Sequence, residues 1–199
     1  MNKQNYDRLM QQQIEALPAG TRPRLLLHSC CGPCSSAVIE RLAPYFALTV
    51  FFYNPNICPK EEYLHRLAEQ RRLLALLPGA PVSLVEGPYE PEAFLDRVSG
   101  LEHEPEGGAR CTACYQLRLE RTAALARQDG YDFFTTTLSV SPHKDAERLN
   151  RLGAALGRAN AWFLPAEFKK RGGYQRSLSL SDAYGLYRQN YCGCPFAAR

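Results

Sequence analysis

The chain has 199 residues, 45% of them apolar and 22% charged, enough to bury one sizeable core and few for two. No apolar run approaches the roughly 18 residues needed to cross a bilayer, and the opening stretch from Met1 to Asp7 is no secretion signal, so a cytoplasmic protein without membrane contact is expected. The formal charge of +4 tilts weakly towards an anionic partner such as RNA, whereas eight cysteines in a reducing compartment argue against a disulfide framework and for metal binding or redox work.

Taken in order, Tyr6, Leu9, Met10, Ile14 and Leu17 recur at helical spacing and predict an initial helix over about 3–17, ended by Ala19-Gly20. Arg24 to Ser29 reads as a buried strand that stops in Cys30-Cys31-Gly32-Pro33-Cys34, with a helix from Ser35 to Leu42 after it. Ala47 to Tyr53 is a second strand, closed by Asn54-Pro55-Asn56. Glu61 to Leu77 predicts a long helix with Tyr63, Leu64, Leu67, Leu74 and Leu77 facing inwards. A third strand is expected at Val82 to Val85 and a short helix at Pro91 to Val98. A polar loop from Leu101 to Arg110 then delivers Cys111 and Cys114 onto a helix that runs to about Gln128.

Strand four spans Phe133 to Leu138, a helix follows from Lys144 to Arg158, and a fifth short strand lies at Trp162 to Leu164. Strands alternating with helical patterns of this length predict an α/β fold, a doubly wound and mostly parallel five-stranded sheet with helices on both faces. The tail is basic with interleaved aromatics from Phe168 to Arg176, helical from Ser181, and ends on Cys192-Gly193-Cys194. No linker or repeat divides the chain. Residues 1–199 are expected to form a single α/β domain, with the tail folding back over the sheet edge.

Seven cysteines fall into three groups: Cys30, Cys31 and Cys34; Cys111 and Cys114; Cys192 and Cys194. Thiolate sets of this kind select zinc, iron or iron-sulfur clusters. Four thiolates on one zinc would leave three reactive thiols beside it, so the count favours iron-sulfur, with a closed four-thiolate zinc site that holds loops together as the alternative. Neither Gly-x-Gly-x-x-Gly nor Gly-x-x-x-x-Gly-Lys-Ser/Thr is present, so electrons for a reductase come from an external donor. His28 ends a strand beside the cysteines, either in a strand-edge hydrogen bond or as a proton source. His143 stands after the fourth strand, where an acid or a substrate contact is expected.

Five ordered blocks resemble the QueH-type epoxyqueuosine reductases: Leu26-Leu27-His28-Ser29-Cys30-Cys31-Gly32-Pro33, Phe51-Phe52-Tyr53-Asn54-Pro55-Asn56-Ile57, Cys111-Thr112-Ala113-Cys114-Tyr115-x-Leu117-Arg118-Leu119, Thr135-Thr136-Thr137-Leu138-x-x-Ser141-Pro142 and Leu186-Tyr187-Arg188-Gln189-x-Tyr191-Cys192-Gly193-Cys194. The resemblance implies a sheet of the adenine-nucleotide α-hydrolase-like (HUP) type, a [4Fe-4S] cluster, and reduction of epoxyqueuosine to queuosine at the wobble position of tRNA. It also implies a second, mononuclear iron, for which some members carry an aspartate where this chain has Cys34. The difference exchanges a hard oxygen ligand for a soft thiolate.

Such a reaction needs two electrons, two protons and a Lewis acid on the departing oxygen. In the expected assignment Cys30, Cys31, Cys111 and Cys114 ligate the cluster. Cys192 and Cys194 form a redox dithiol or, with Cys34, ligate the second metal. Lys169, Lys170, Arg171 and Arg176, around Phe168 and Tyr174, are the expected RNA contacts, and Lys60, Arg66, Arg71 and Arg72 the next in line.

Overall fold

A computed structural model describes residues 4–79, 81–158 and 160–197. Strands β1 (Arg24–Ser29), β2 (Ala47–Phe52), β3 (Ser83–Glu86), β4 (Phe133–Thr136) and β5 (Trp162–Phe163) form a parallel sheet in the order β3-β2-β1-β4-β5. The helices are α1 (Tyr6–Glu15), α2 (Gly32–Leu42), α3 (Lys60–Leu76), α4 (Pro91–Arg97), α5 (Ala109–Gln128), α6 (Ala146–Leu156) and α7 (Gly173–Ala183). The expected start of the first helix at Lys3 lies outside the described residues; the helix ends at Glu15, two residues short of the expected Leu17.

Alternation along the central strand explains the two layers. Leu25 and Leu27 face one apolar cluster with Val38, Leu42, Val50 and Leu73, while Leu26 faces the other with Tyr115, Leu119, Phe134 and Leu149. Strand order reverses between β1 and β4, and in such sheets ligands bind beyond the carboxyl ends of the strands at that point. Cys30 follows β1 there and Thr137 follows β4. His28 pins the three inner strands: its Nε2–H donates to the Tyr53 carbonyl at 3.0 Å and its Nδ1 accepts from the Thr136 hydroxyl at 2.8 Å. Burial, and then the charge of Arg118, lower its pKa to about 3, so it is a neutral structural group rather than a proton source.

Three local expectations are corrected. Strand four ends at Thr136, not Leu138, because the Thr136 hydroxyl accepts the Leu138 N–H at 3.2 Å and turns the chain into one 3-10 turn over Thr137–Val140. The inner face of α3 carries Tyr63, Arg66, Leu67, Gln70 and Leu73, whereas Leu64 is half exposed at 50%. That face is turned towards polar partners: Gln70 meets Ser29 and Ser35 at 2.6 and 2.7 Å, and Arg66 meets the tail. The tail helix starts at Gly173 rather than Ser181.

Gly172 and Gly173, which on sequence grounds would give the basic loop freedom to adapt to RNA, instead fix a tight turn. Gly172 caps α7 at φ 72°, and a Cβ on Gly173 would overlap the Phe168 carbonyl oxygen. Gly172→Ala, with open space around its Cβ, should cost only the left-handed backbone strain of about 1–2 kcal/mol. Gly173→Ala should cost more, since backbone must move; urea denaturation of both variants checks the order.

Candidate metal centre

The β1–α2 turn brings three thiols together at the start of a helix. Cys31 caps α2, its Sγ accepting the Cys34 N–H at 3.4 Å, and Pro33 occupies the first turn. Cys30 Sγ lies 3.9 Å from Cys31 Sγ and 3.6 Å from the Thr137 hydroxyl across the switch point. The Sγ atoms of Cys30, Cys31 and Cys34 all fall within 4.8 Å of one another. Beneath them Ser29, Ser35 and Gln70 form a closed hydrogen-bonded set, the two hydroxyls 2.5 Å apart, which holds the turn from below.

Three sulfurs this close, Cys31 buried and Cys30 and Cys34 half-buried, cannot all ionise without a cation among them. Hydrogen bonds from Cys31 and Cys34, with a smaller one from Thr137, hold the Cys30 thiol well below the usual range. The bond to Cys30 pushes Cys31 up to about 12, and the bonds to Cys30 and Cys31 push Cys34 well above the usual range. Three soft sulfurs gathered in this way could hold a metal ion.

The second set comes from α5 and the tail. Cys111, in the first turn of α5, accepts the Gly107 N–H at 3.2 Å. Cys114 is buried beside Phe94 and Val98, and Cys194 and Phe196 pack against the same cluster. Burial raises the Cys114 thiol, with Cys192 and Cys111 adding repulsion. Cys192 is lowered to about 6, first by a hydrogen bond from Cys194 and then, against burial, by the charge of Lys144; Cys194 rises in consequence.

Two cations not anticipated from sequence stand among these groups. Lys144 is paired with Glu106 at 3.1 Å, and although burial opposes its charge, Tyr115, Cys192 and Glu106 hold its ammonium charged. Its neighbour His143 is exposed and lines a cleft of about 380 Å³ with Tyr6, Glu147, Glu167 and Lys169. Arg118 is buried within reach of Cys114, Cys30 and Cys192. The sequence did carry a signal for Arg118, which follows Cys111 and Cys114 at seven and four residues on one helical stripe. Lys144 carried none, because its approach depends on the packing of a loop.

The expected RNA contacts are distributed differently from one another. Arg171 pairs with Asp7 at 2.8 Å, and Arg176 with Glu40 at 2.6 and 2.8 Å, both towards the end of α2 remote from the cysteine turn. Lys169 reaches the Lys144 carbonyl at 3.4 Å, and Lys170 is exposed. Of the reserve set, Arg71 pairs with Glu86 and Arg72 with Glu69.

Arg66 clasps the tail. A stripe on α3, Glu62, Arg66, Glu69 and Arg72, guides the returning chain: Arg72 donates to the Tyr184 and Gly185 carbonyls, Glu69 accepts the Tyr187 N–H at 2.7 Å, and Arg66 donates to Tyr191 and Cys192 carbonyls at 3.3 and 3.1 Å. The Cys58 N–H closes on the Gly193 carbonyl at 2.9 Å. Arg66→Met should cost about 3 kcal/mol or more, since it leaves the Tyr191 and Cys192 carbonyls without this donor and the Glu62 carboxylate without its cation. Hydrogen exchange should show the loss concentrated in residues 187–194.

Comparison with known proteins sets this arrangement in a family. The sequence profile described as Epoxyqueuosine reductase QueH matches residues 25–199. Proteins named Epoxyqueuosine reductase QueH from Staphylococcus epidermidis and Streptococcus pyogenes are 43% and 40% identical, covering 98% and 99% of this chain and 85% and 79% of their own lengths. The protein of that name from Thermotoga maritima is 35% identical over 87% of this chain and 89% of its own. With all seven grouped cysteines inside the matched span, the chain belongs to the QueH family of epoxyqueuosine reductases.

Proposed function

We propose that this chain is an oxidoreductase that reduces epoxyqueuosine to queuosine at the wobble position of tRNA, the last step in making that base. The observation that supports it most directly is the gathering of free thiols at the switch point of the sheet in a chain of this family. Among the described residues no helix is long and apolar enough to cross a membrane, in keeping with a tRNA-modifying role in the cytoplasm.

The donor set suits an iron-sulfur centre. Its ligands are soft sulfurs, none is tied up in a disulfide, and a buried guanidinium stands beside them as counter-charge. In this reading Cys30, Cys31, Cys111 and Cys114 hold a [4Fe-4S] cluster, and Cys34, Cys192 and Cys194 hold a second iron or act as a redox dithiol. When bound, such a centre passes electrons singly from an external donor and offers Lewis acidity to an oxygen.

Opening an epoxide to an alkene consumes two electrons and two protons and releases water. The chain's part is to bring the thiols, the cation and the proton source to one edge. Lys144 keeps positive charge beside Cys192, His143 in its exposed cleft is the proposed proton donor, and Arg66 keeps the Cys192-Gly193-Cys194 segment seated. Lys169, Lys170, Arg171 and Arg176 are proposed to meet the tRNA backbone.

The test is anaerobic reconstitution with iron and sulfide followed by turnover on tRNA carrying epoxyqueuosine. Absorbance near roughly 400 nm together with conversion is expected of an iron-sulfur enzyme. A protein that takes up zinc, shows no such band and still binds tRNA would instead be a zinc-stabilised binding module. Cys111→Ser and Cys114→Ser should each lose iron and activity together, and a full four-iron complement in both would remove them from the ligand set.

For RNA, changing Lys169, Lys170 and Arg171 together to Ala should lower affinity and flatten its salt dependence, by roughly 0.7 to 0.9 in slope for each phosphate that is no longer neutralised. Because Arg171 is already engaged by Asp7, most of that change is expected from the two lysines. Unchanged affinity and slope in a folded, metal-loaded variant would place the RNA surface elsewhere.

A further inference from the structure

Among the described residues three arginines are buried, and they are satisfied very differently. Arg66, 2% exposed, has the Glu62 carboxylate and two tail carbonyls. Arg110, 3% exposed, donates to the carbonyls of Glu102, Glu104 and Phe196. Arg118, 4% exposed, makes a single side-chain hydrogen bond, Nε to the Cys114 carbonyl of its own helix at 3.3 Å. Among the described residues no carboxylate lies within ion-pair distance of it.

A guanidinium withdrawn from water without an anion is costly, and its charge cannot be shed because it stays protonated. The charges that act on Arg118 are chiefly those of sulfur: Cys114, one turn before it on α5, then Cys30, then the Tyr115 hydroxyl and Cys192 of the tail; the Tyr115 ring centroid is 5.8 Å from the guanidinium carbon. The three cysteines come one from each cysteine group. Arg118 is the group through which all three feel a common charge.

We propose that Arg118 is the fixed counter-charge of the thiolate-bound metal centre. It lowers the cost of loading an anionic cluster and raises its reduction potential by stabilising the added electron. This rests on the iron-sulfur reading above and assigns a role to a residue that is no ligand and touches no substrate. It is a positioning residue, acting through the centre's charge. A tRNA phosphate is the other anion it could meet, but its burial, with its one side-chain hydrogen bond to the Cys114 carbonyl, favours the centre.

The experiment compares wild-type protein with R118Q and R118K, all reconstituted anaerobically. Readouts are iron and sulfide per chain, the reduction potential from a dithionite titration followed by electron paramagnetic resonance, and melting of metal-free and loaded forms. R118Q should shift the potential negative and lose iron to a chelator faster, while its metal-free form melts no lower than wild type because an uncompensated charge has gone. R118K should bring the potential back towards the wild-type value. R118M, which keeps the apolar stem, replaces R118Q if the latter does not fold.

An R118Q protein with wild-type potential and iron retention overturns the proposal. So does an equal drop in melting temperature of metal-free and loaded forms, which would mark a purely structural role, or a change confined to tRNA affinity. A wild-type protein that takes up zinc and forms no cluster removes the iron-sulfur reading and this inference together. A loaded wild type beside an unaltered R118Q removes this inference alone.

Discussion

The site hangs on the end of the central strand, where β1 stops at Ser29 and the chain turns into α2 within two residues. Cys31 caps the helix with its sulfur while Cys30 reaches across to Thr137, and the turn still keeps the two sulfurs 3.9 Å apart. The cap then folds Cys34 back over both. That one turn sets the geometry of three thiols, and its own rigidity comes from Ser29, Ser35 and Gln70 below it. Gly32 lies so close to α3 that an added Cβ would sit 3.1 Å from the Glu69 carbonyl oxygen, so turn and helix are locked together.

That close approach also explains how the far end of the chain finds the site. Residues 187–194 have few apolar anchors and are led in by a polar stripe on α3 that alternates acid and base at helical spacing. Arg66, Glu69 and Arg72 satisfy backbone groups of the tail, which would otherwise lie against protein unpaired, and Glu62 holds Arg66 and accepts from the Tyr187 hydroxyl. The tail is therefore positioned by hydrogen bonds more than by burial. Its two thiols enter the site as side chains of a segment that could be peeled away without breaking the sheet.

Much of the fold was legible because the strands are short apolar runs punctuated by Gly, Pro and Asn, and the cysteine turn is itself such a break. Leu25 to Leu27 could belong only to a buried strand, and strands alternating with helices implied the parallel sheet. The face of α3 was not legible: reading Leu64 as inward assumes that an inner face is apolar, whereas here it holds Arg66 and Gln70 because the turn and the tail supply polar partners. The Gly172-Gly173 pair misled for a related reason. Glycine marks both loose chain and tight chain, and only the approach of the Phe168 carbonyl distinguishes them. Arg118 and Lys144 become site residues only when three distant cysteine groups meet, and of the two only Arg118 left a trace in the sequence, on one helical stripe with Cys111 and Cys114.

The same packing removes the net charge of +4 as a measure of affinity for RNA. Of the 24 basic residues 19 are arginine, and many are internal braces. Arg22 binds the Ala43 and Phe46 carbonyls, Arg24 those of Asp129 and Gly130, and Arg148 those of Gly107 and Gly108. In each case one guanidinium nitrogen bridges two loop carbonyls. Cations engaged in this way are fixed in direction and partly neutralised by backbone dipoles, so they project little field into solvent. What faces solvent is Lys60, Lys170 and exposed arginines such as Arg8, Arg121 and Arg151, while Lys169 is hydrogen-bonded to the loop that carries Lys144. The overall basic balance of the chain therefore overstates the charge that any one surface can offer a polyanion.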